Sequence, residues 1–144
     1  MTREEIKQII PHREPMLLVD EIGTDGEYAT AKYTIRENEF FTTGHFPGYP
    51  VVPGVILCEI MAQGSVMVIP GEDLKTHTTF YGGLNNVKFK KSVFPGDTVC
   101  TRTKLKGRRG PAVFVESVAT VNDQVVCSGE LIFMLVPNEK LNKQ

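Results

Sequence analysis

Residues 55–69 read Val, Ile, Leu, Cys, Glu, Ile, Met, Ala, Gln, Gly, Ser, Val, Met, Val and Ile, so a helix wound through them carries apolar side chains on every face. Such a helix cannot lie on a surface; the rest of the chain has to enclose it. Pro53 marks its start, because the amide that proline lacks would have no intrahelical partner in a first turn. The pattern predicts a helix from there to Val68, roughly 24 Å long at 1.5 Å per residue. Four strand-like segments follow, at 79–91, 98–106, 112–121 and 124–136, broken at Pro95-Gly96-Asp97, at 107–111 and at Asn122-Asp123. The last break suits a two-residue hairpin turn, since both residues tolerate positive φ. These segments predict an antiparallel meander, and 16–22 and 27–35, joined across 23–26, predict a hairpin before it. The expectation is an α+β fold in which a curved antiparallel sheet of about six strands wraps one long central helix. One sheet covers only part of a helix, so the apolar remainder predicts a homodimer.

The rest of the chain supplies edges. Thr2-Arg3-Glu4-Glu5 has the form of a capping box, predicting a short helix with Ile6, Ile9 and Ile10 on one face and Pro11 at its end. Between 37 and 54 the density of Gly44, Pro47, Gly48, Pro50, Pro53 and Gly54 predicts a stiff loop without regular structure. A second loop is expected at 70–77, and 138–144 reads as a polar, frayed tail of a single domain spanning 1–144.

Composition excludes several functions. With 16 Lys and Arg against 17 Asp and Glu there is no bulk positive field to hold a nucleic acid. The longest apolar run, 131–136, is far short of the roughly twenty residues of a membrane-spanning helix, and the charged start Met1-Thr2-Arg3-Glu4-Glu5 is unlike a secretory signal, so a cytoplasmic protein is expected. Cys58, Cys100 and Cys127 are widely spaced among apolar neighbours and read as buried structural thiols; His12, His45 and His77 lack the close spacing of a zinc site.

The one charge in the apolar helix is Glu59. Removal from water disfavours the ionised carboxylate, which makes Glu59 a candidate general acid; the alternative is a structural glutamate bonded to an amide or an arginine. Gln63 follows one turn later on the same face and can hydrogen-bond it or a bound water. His45, in the stiff loop, has the ordinary chemistry of a general base near neutral pH. The Gly54 amide stands at the positive end of the helix, without a side chain to block a close ligand, and can polarise a carbonyl oxygen. Base, acid and oxyanion donor together describe proton abstraction beside a carbonyl with loss of a leaving group.

Three blocks resemble the 3-hydroxyacyl-(acyl carrier protein) dehydratases of type II fatty-acid synthesis, which have the hot-dog fold: the run from Ile10-Pro11-His12-Arg13 to Asp20, the run from His45-Phe46-Pro47-Gly48 through Pro53-Gly54 and Glu59 to Gln63, and the run from Val87 to Asp97. The second is the most specific, because it fixes histidine, glycine and glutamate at family spacing. The resemblance implies that His45 abstracts the α-proton of a (3R)-3-hydroxyacyl thioester, that Glu59 helps the 3-hydroxyl leave as water, and that the Gly54 amide binds the thioester carbonyl. It further implies an acyl carrier protein as partner, an apolar tunnel, no cofactor or metal, and a site shared between subunits of a dimer, with three dimers forming a hexamer. Val52, Ile60 and Ser92 depart from the family pattern without touching a catalytic atom; Ile60 could narrow the tunnel. Glutamate rather than aspartate at position 59 favours plain dehydration over dehydration with double-bond shift. The competing readings are a hot-dog thioesterase, whose carboxylate would activate water, and an acyl-binding module without turnover.

Other features have two readings each. Arg102, Lys104, Lys106 and Arg108 alternate, so a regular strand would present all four on one face, where with Lys88, Lys90 and Lys91 they could dock an acidic carrier; the alternative is a solvated strand face that discourages aggregation. Phe80 and Tyr81 either line or gate the tunnel or belong to the sheet core. His12 and Arg13 read as structural, with no chemical role of their own.

Overall fold

The computed structural model describes residues 1–43 and 48–141. Helix α1 (Arg3–Ile6) opens with the expected capping box: Thr2 Oγ1 accepts from the Glu5 amide at 3.3 Å and the Glu5 carboxylate accepts from the Thr2 amide at 3.1 Å. Strands β1 (Glu21–Asp25) and β2 (Tyr28–Thr34) form the first hairpin, followed by the single-turn helix α2 (Phe40–Thr43), the central helix α3 (Gly54–Gly64) and a 3-10 turn at Val66–Val68. Helix α4 (Gly71–Thr76) leads into β3 (His77–Phe89), β4 (Thr98–Arg109), β5 (Ala112–Val121) and β6 (Gln124–Pro137), and α5 (Asn138–Leu141) ends the described chain. The six strands form one antiparallel sheet in the order β1-β2-β4-β5-β6-β3. Strands β4 to β6 make the meander the sequence predicts, but β3 joins the far edge beside β6, so the long segments are not neighbours in simple succession.

Helix α3 packs against β2, β4, β5 and β6. Leu57, Ile60 and Met61 meet Val99, Val115 and Leu131 in the larger apolar cluster, while Ile6, Ile10, Leu17, Val19 and Val66 form a smaller one around the N-terminal segment. The helix is shorter than the pattern implies. At Gly64 it presses so close to the sheet that a Cβ there would stand 2.5 Å from Thr101 Oγ1 and 2.9 Å from Ala31 Cβ. Next, the Ser65 hydroxyl turns back to the Met61 carbonyl at 2.6 Å and contacts Thr103 Oγ1 at 3.1 Å. Serine bonding back four residues competes with continuation of the helix, and the apolar run proceeds as a 3-10 turn.

Other departures have local causes. Residues 17–19 are buried but lie outside any strand, because Gln63 takes backbone positions that a neighbouring strand would otherwise fill: its side-chain oxygen accepts from the Leu18 amide at 2.8 Å and its nitrogen donates to the Met16 carbonyl at 2.8 Å. The stiff loop contains α2, where the Glu39 carbonyl accepts from the Thr42 amide just ahead of the glycine-proline cluster. In place of a loop at 70–77 stands α4, with Glu72 and Asp73 in its first turn and Lys75 in its last, charges that suit a helix dipole. Residues 138–141 are helical rather than frayed, and Thr78 Oγ1 donates to Asn138 Oδ1 at 2.7 Å; residues 142–144 lie outside the described residues. Asn122 and Asp123 have φ of 50° and 63° and make the expected tight turn. Cys58 and Cys127 are buried free thiols, whereas Cys100, opposite Lys32 and Thr120, is only half-buried.

Asp20 ties the N-terminal segment to the hairpin. It accepts from Arg36 at 2.7 and 3.0 Å, from Arg3 at 2.9 Å and from the Thr34 amide at 2.9 Å. Burial works against its charge, but the Arg36 and Thr34 bonds, with Arg3, outweigh that and hold the carboxyl below its ordinary value. A carboxylate depressed on folding contributes stability above its unfolded pKa, near 4, and loses it as the pH falls through the folded value. Asp20→Asn is therefore expected to cost about 2 kcal/mol at pH 7 in urea denaturation, with the cost shrinking below about pH 4. An unchanged difference between pH 7 and pH 2 would refute the role given to this cluster.

Candidate active site

A cavity of about 340 Å³ lies between α3, the N-terminal segment, α4 and the first half of β3. Its apolar lining includes Ile9, Val66, Ile69, Leu74 and Phe133, and Glu59, Gln63, His12, Phe80 and Tyr81 also face it. Glu59 reaches the cavity from the middle of α3, and its side chain is 19% exposed. The apolar pattern places it there: the helix turns Leu57, Ile60 and Met61 into the core, leaving Glu59 and Gln63 on the stripe that faces the cavity.

The carboxylate is held. Gln63 Nε2 donates to Glu59 Oε2 at 2.8 Å, and Gln63 is itself buried and fixed by its bonds to Leu18 and Met16. His12 Nε2 stands 3.3 Å from the same oxygen, a contact the sequence reading did not find. The only signal for it was the position of His12 in a recognisable block; nothing in the spacing of His12 and Glu59 reports that they meet. Tyr81 donates its hydroxyl to the Cys58 carbonyl at 2.7 Å, and burial, followed by the nearby Glu59 charge, pushes its phenol up, so it stays protonated. Phe80 and Tyr81 are therefore cavity walls, 46% and 42% exposed, and not sheet core.

Gly54, the first residue of α3, lies away from this cavity's lining. Pro53, as its N-cap, offers no side chain to bond the first amides. The Phe89 ring covers the glycine so closely that a Cβ would meet Phe89 Cε1 at 2.8 Å. His45 lies outside the described residues.

The cationic row is not one face. Register shifts between Leu105 and Gly107, making Lys106 the extra residue of a bulge, and this inverts the phase of the strand beyond it. Arg102 and Lys104 pair outward with Asp25 at 2.8 Å and Glu27 at 3.2 Å, and Lys106 contacts Glu130 at 3.5 Å. Arg108 instead sits opposite the buried Val113 and reaches Asp73 of α4 at 2.8 Å. Each of the four is thus compensated within the chain. None lines the cavity that holds Glu59.

The model of the FabA-like domain family matches residues 10–130. The chain is 42% identical over 137 residues to a 3-hydroxyacyl-(acyl-carrier-protein) dehydratase FabZ of Clostridium perfringens strain SM101, covering 94% of this chain and 99% of that protein. It is 41% identical over 135 residues to the FabZ dehydratase of Bacillus cytotoxicus, covering 92% and 94%. Among solved structures, the dehydratase heterocomplex ApeI:P from Xenorhabdus doucetiae superposes with a TM-score of 0.77 at 16% identity, over 96% of this chain and 95% of that one. The fluoroacetyl-CoA thioesterase FlK does so with a TM-score of 0.67 at 16% identity, over 84% and 94%. At such identities these structures speak for the fold alone, the hot-dog arrangement of a sheet around a helix.

Proposed function

The chain belongs to the FabA-like domain family, and from that premise we infer that it is a 3-hydroxyacyl-(acyl-carrier-protein) dehydratase, removing water from a (3R)-3-hydroxyacyl thioester to give the trans-2-enoyl thioester in fatty-acid elongation. What carries this reading is the near full-length match to FabZ dehydratases together with a glutamate held at the wall of a cavity that apolar side chains line in part.

In the reaction, His45 takes the proton from C2, the electron pair forms the C2–C3 double bond, and the C3–O bond breaks as Glu59 gives its proton to the departing hydroxyl. Negative charge developing on the thioester oxygen is met, in this reading, by the Gly54 amide at the helix start, which the substrate reaches by displacing the Phe89 ring that covers it. Phe80 and Tyr81 flank the acyl chain, and Gln63 holds the acid.

The same reading makes the protein a cytoplasmic homodimer with sites at the subunit contact, assembled as a trimer of dimers. Strand β3 supports this, since among the described residues it is a sheet edge paired on one side only, bearing exposed Phe80, Tyr81, Leu84 and Phe89, and Val55 on α3 is 73% exposed. The partner substrate is the acyl group on its acyl carrier protein. Arg102, Lys104, Lys106 and Arg108 are proposed contacts for that acidic carrier, which would compete with Asp25, Glu27, Glu130 and Asp73 for them.

The test is incubation with carrier-bound 3-hydroxyacyl substrates of several chain lengths and mass analysis of the products. Loss of one water with the thioester intact is expected. Release of free carrier thiol would replace this reading with thioester hydrolysis, and no change in mass would replace it with acyl binding.

A further inference from the structure

We propose that His12 is a positioning residue for Glu59, an imidazole that fixes which oxygen of the carboxyl does the chemistry. The proposal rests on the dehydratase reading of Glu59. Its basis is one oxygen with two nitrogens on it: Gln63 Nε2 donates to Glu59 Oε2 at 2.8 Å and His12 Nε2 stands 3.3 Å from the same atom. Oε1 carries no comparable contact among the described residues, so the oxygen left to hold and release a proton is Oε1, which is free to meet a hydroxyl entering the cavity.

The His12 ring is placed for this by more than its own contact. Its side chain is only 33% exposed, and its other nitrogen, Nδ1, is shut off from solvent with no hydrogen-bond partner among the described residues. The tautomer with hydrogen on Nε2 leaves that buried atom as a bare lone pair rather than a stranded N–H, and sets the one N–H beside the carboxylate, at contact distance though not in hydrogen-bond alignment. The segment around it is laced down on both sides. Arg13 donates to the carbonyls of Ile10 at 3.0 Å, His12 at 2.7 Å and Lys7 at 3.0 Å, closing the turn after α1. Gln63 then grips the same segment at Met16 and Leu18.

The test is a double-mutant cycle on the full-length protein: His12→Ala, His12→Gln, Glu59→Gln and His12→Ala with Glu59→Gln, each assayed for kcat and KM and for intact assembly by size-exclusion chromatography. If His12 acts through Glu59, His12→Ala lowers kcat about 10- to 100-fold, the scale for a misplaced catalytic group, with KM within about threefold. His12→Gln, which keeps an N–H donor, recovers part of that loss, and His12→Ala adds nothing further once Glu59 is glutamine. Wild-type kcat in His12→Ala, or an equal loss in both backgrounds, overturns the proposal while leaving Glu59 as the acid. Wild-type kcat in Glu59→Gln overturns the dehydratase reading itself and this proposal with it. Should His12→Ala not assemble, His12→Gln and its combination with Glu59→Gln decide by the same additivity criterion.

Discussion

Glu59→Gln is expected to lower kcat about 1000-fold, within the range that a positioned general acid contributes, while the protein stays folded and assembled. The substitution is nearly isosteric, and its amide oxygen can still accept from Gln63 Nε2, so the bonds that seat the side chain, and through Gln63 the N-terminal segment, need not change. What disappears is a proton that can be handed to a leaving hydroxyl; a neutral amide gives one up far less readily. A thousandfold loss corresponds to about 4 kcal/mol of transition-state stabilisation. It should appear in kcat with little effect on KM, because the acyl chain is bound by the cavity walls and not by the carboxyl. Steady-state kinetics beside a thermal melt check it. A variant that keeps its kcat would remove Glu59 from the chemistry, and a variant that loses kcat only because it no longer melts cooperatively would show the residue to be structural, the alternative left open by its sequence context.

Much of this site was legible before any coordinates, and the boundary is instructive. A charge inside an all-round apolar helix is an anomaly that periodicity alone exposes, so Glu59 and its i+4 neighbour Gln63 could be found together. The hairpin at Asn122-Asp123 was legible because its φ requirement narrows the residue choice. What failed depended on tertiary contacts or on one-residue shifts. Helix α3 stops at Gly64 because Thr101 and Ala31 leave no room there and Ser65 bonds backward, neither of which a hydrophobic pattern records. The cationic row lost its single face to one bulged residue, Lys106, because a period of two cannot survive an insertion. Helix α4 was a missed signal and not an absent one: the acidic first turn and basic last turn of 71–76 were in plain view. The pairing of His12 with Glu59, 47 residues apart, depends on Gln63 and the smaller apolar cluster holding the N-terminal segment against the helix, while Arg13 closes the turn that carries His12.

Gln63→Leu should show how far fold and chemistry share one side chain. Gln63 is 3% exposed and makes three bonds, to the Leu18 amide, the Met16 carbonyl and Glu59 Oε2. Leucine fills nearly the same volume but answers none of them. The Leu18 amide is left unpaired in a fully buried residue, and the Met16 carbonyl loses the donor that drew it toward the helix. At about 1–3 kcal/mol for each buried group left without a partner, the expected destabilisation is about 3 kcal/mol, or a Tm about 10 °C lower for a domain of this size. Activity should fall as well, about tenfold in kcat at a temperature where the variant is fully folded, because Oε2 loses its nearer donor. Gln63→Glu separates the two effects. It restores an acceptor for the Leu18 amide and should recover part of the stability, yet it sets a second carboxyl within hydrogen-bond distance of Glu59, where like charges so close must share a proton. Its kcat should therefore remain low while its Tm rises above that of Gln63→Leu. Parallel recovery of both quantities would mean that Gln63 serves the enzyme only by holding the N-terminal segment in place.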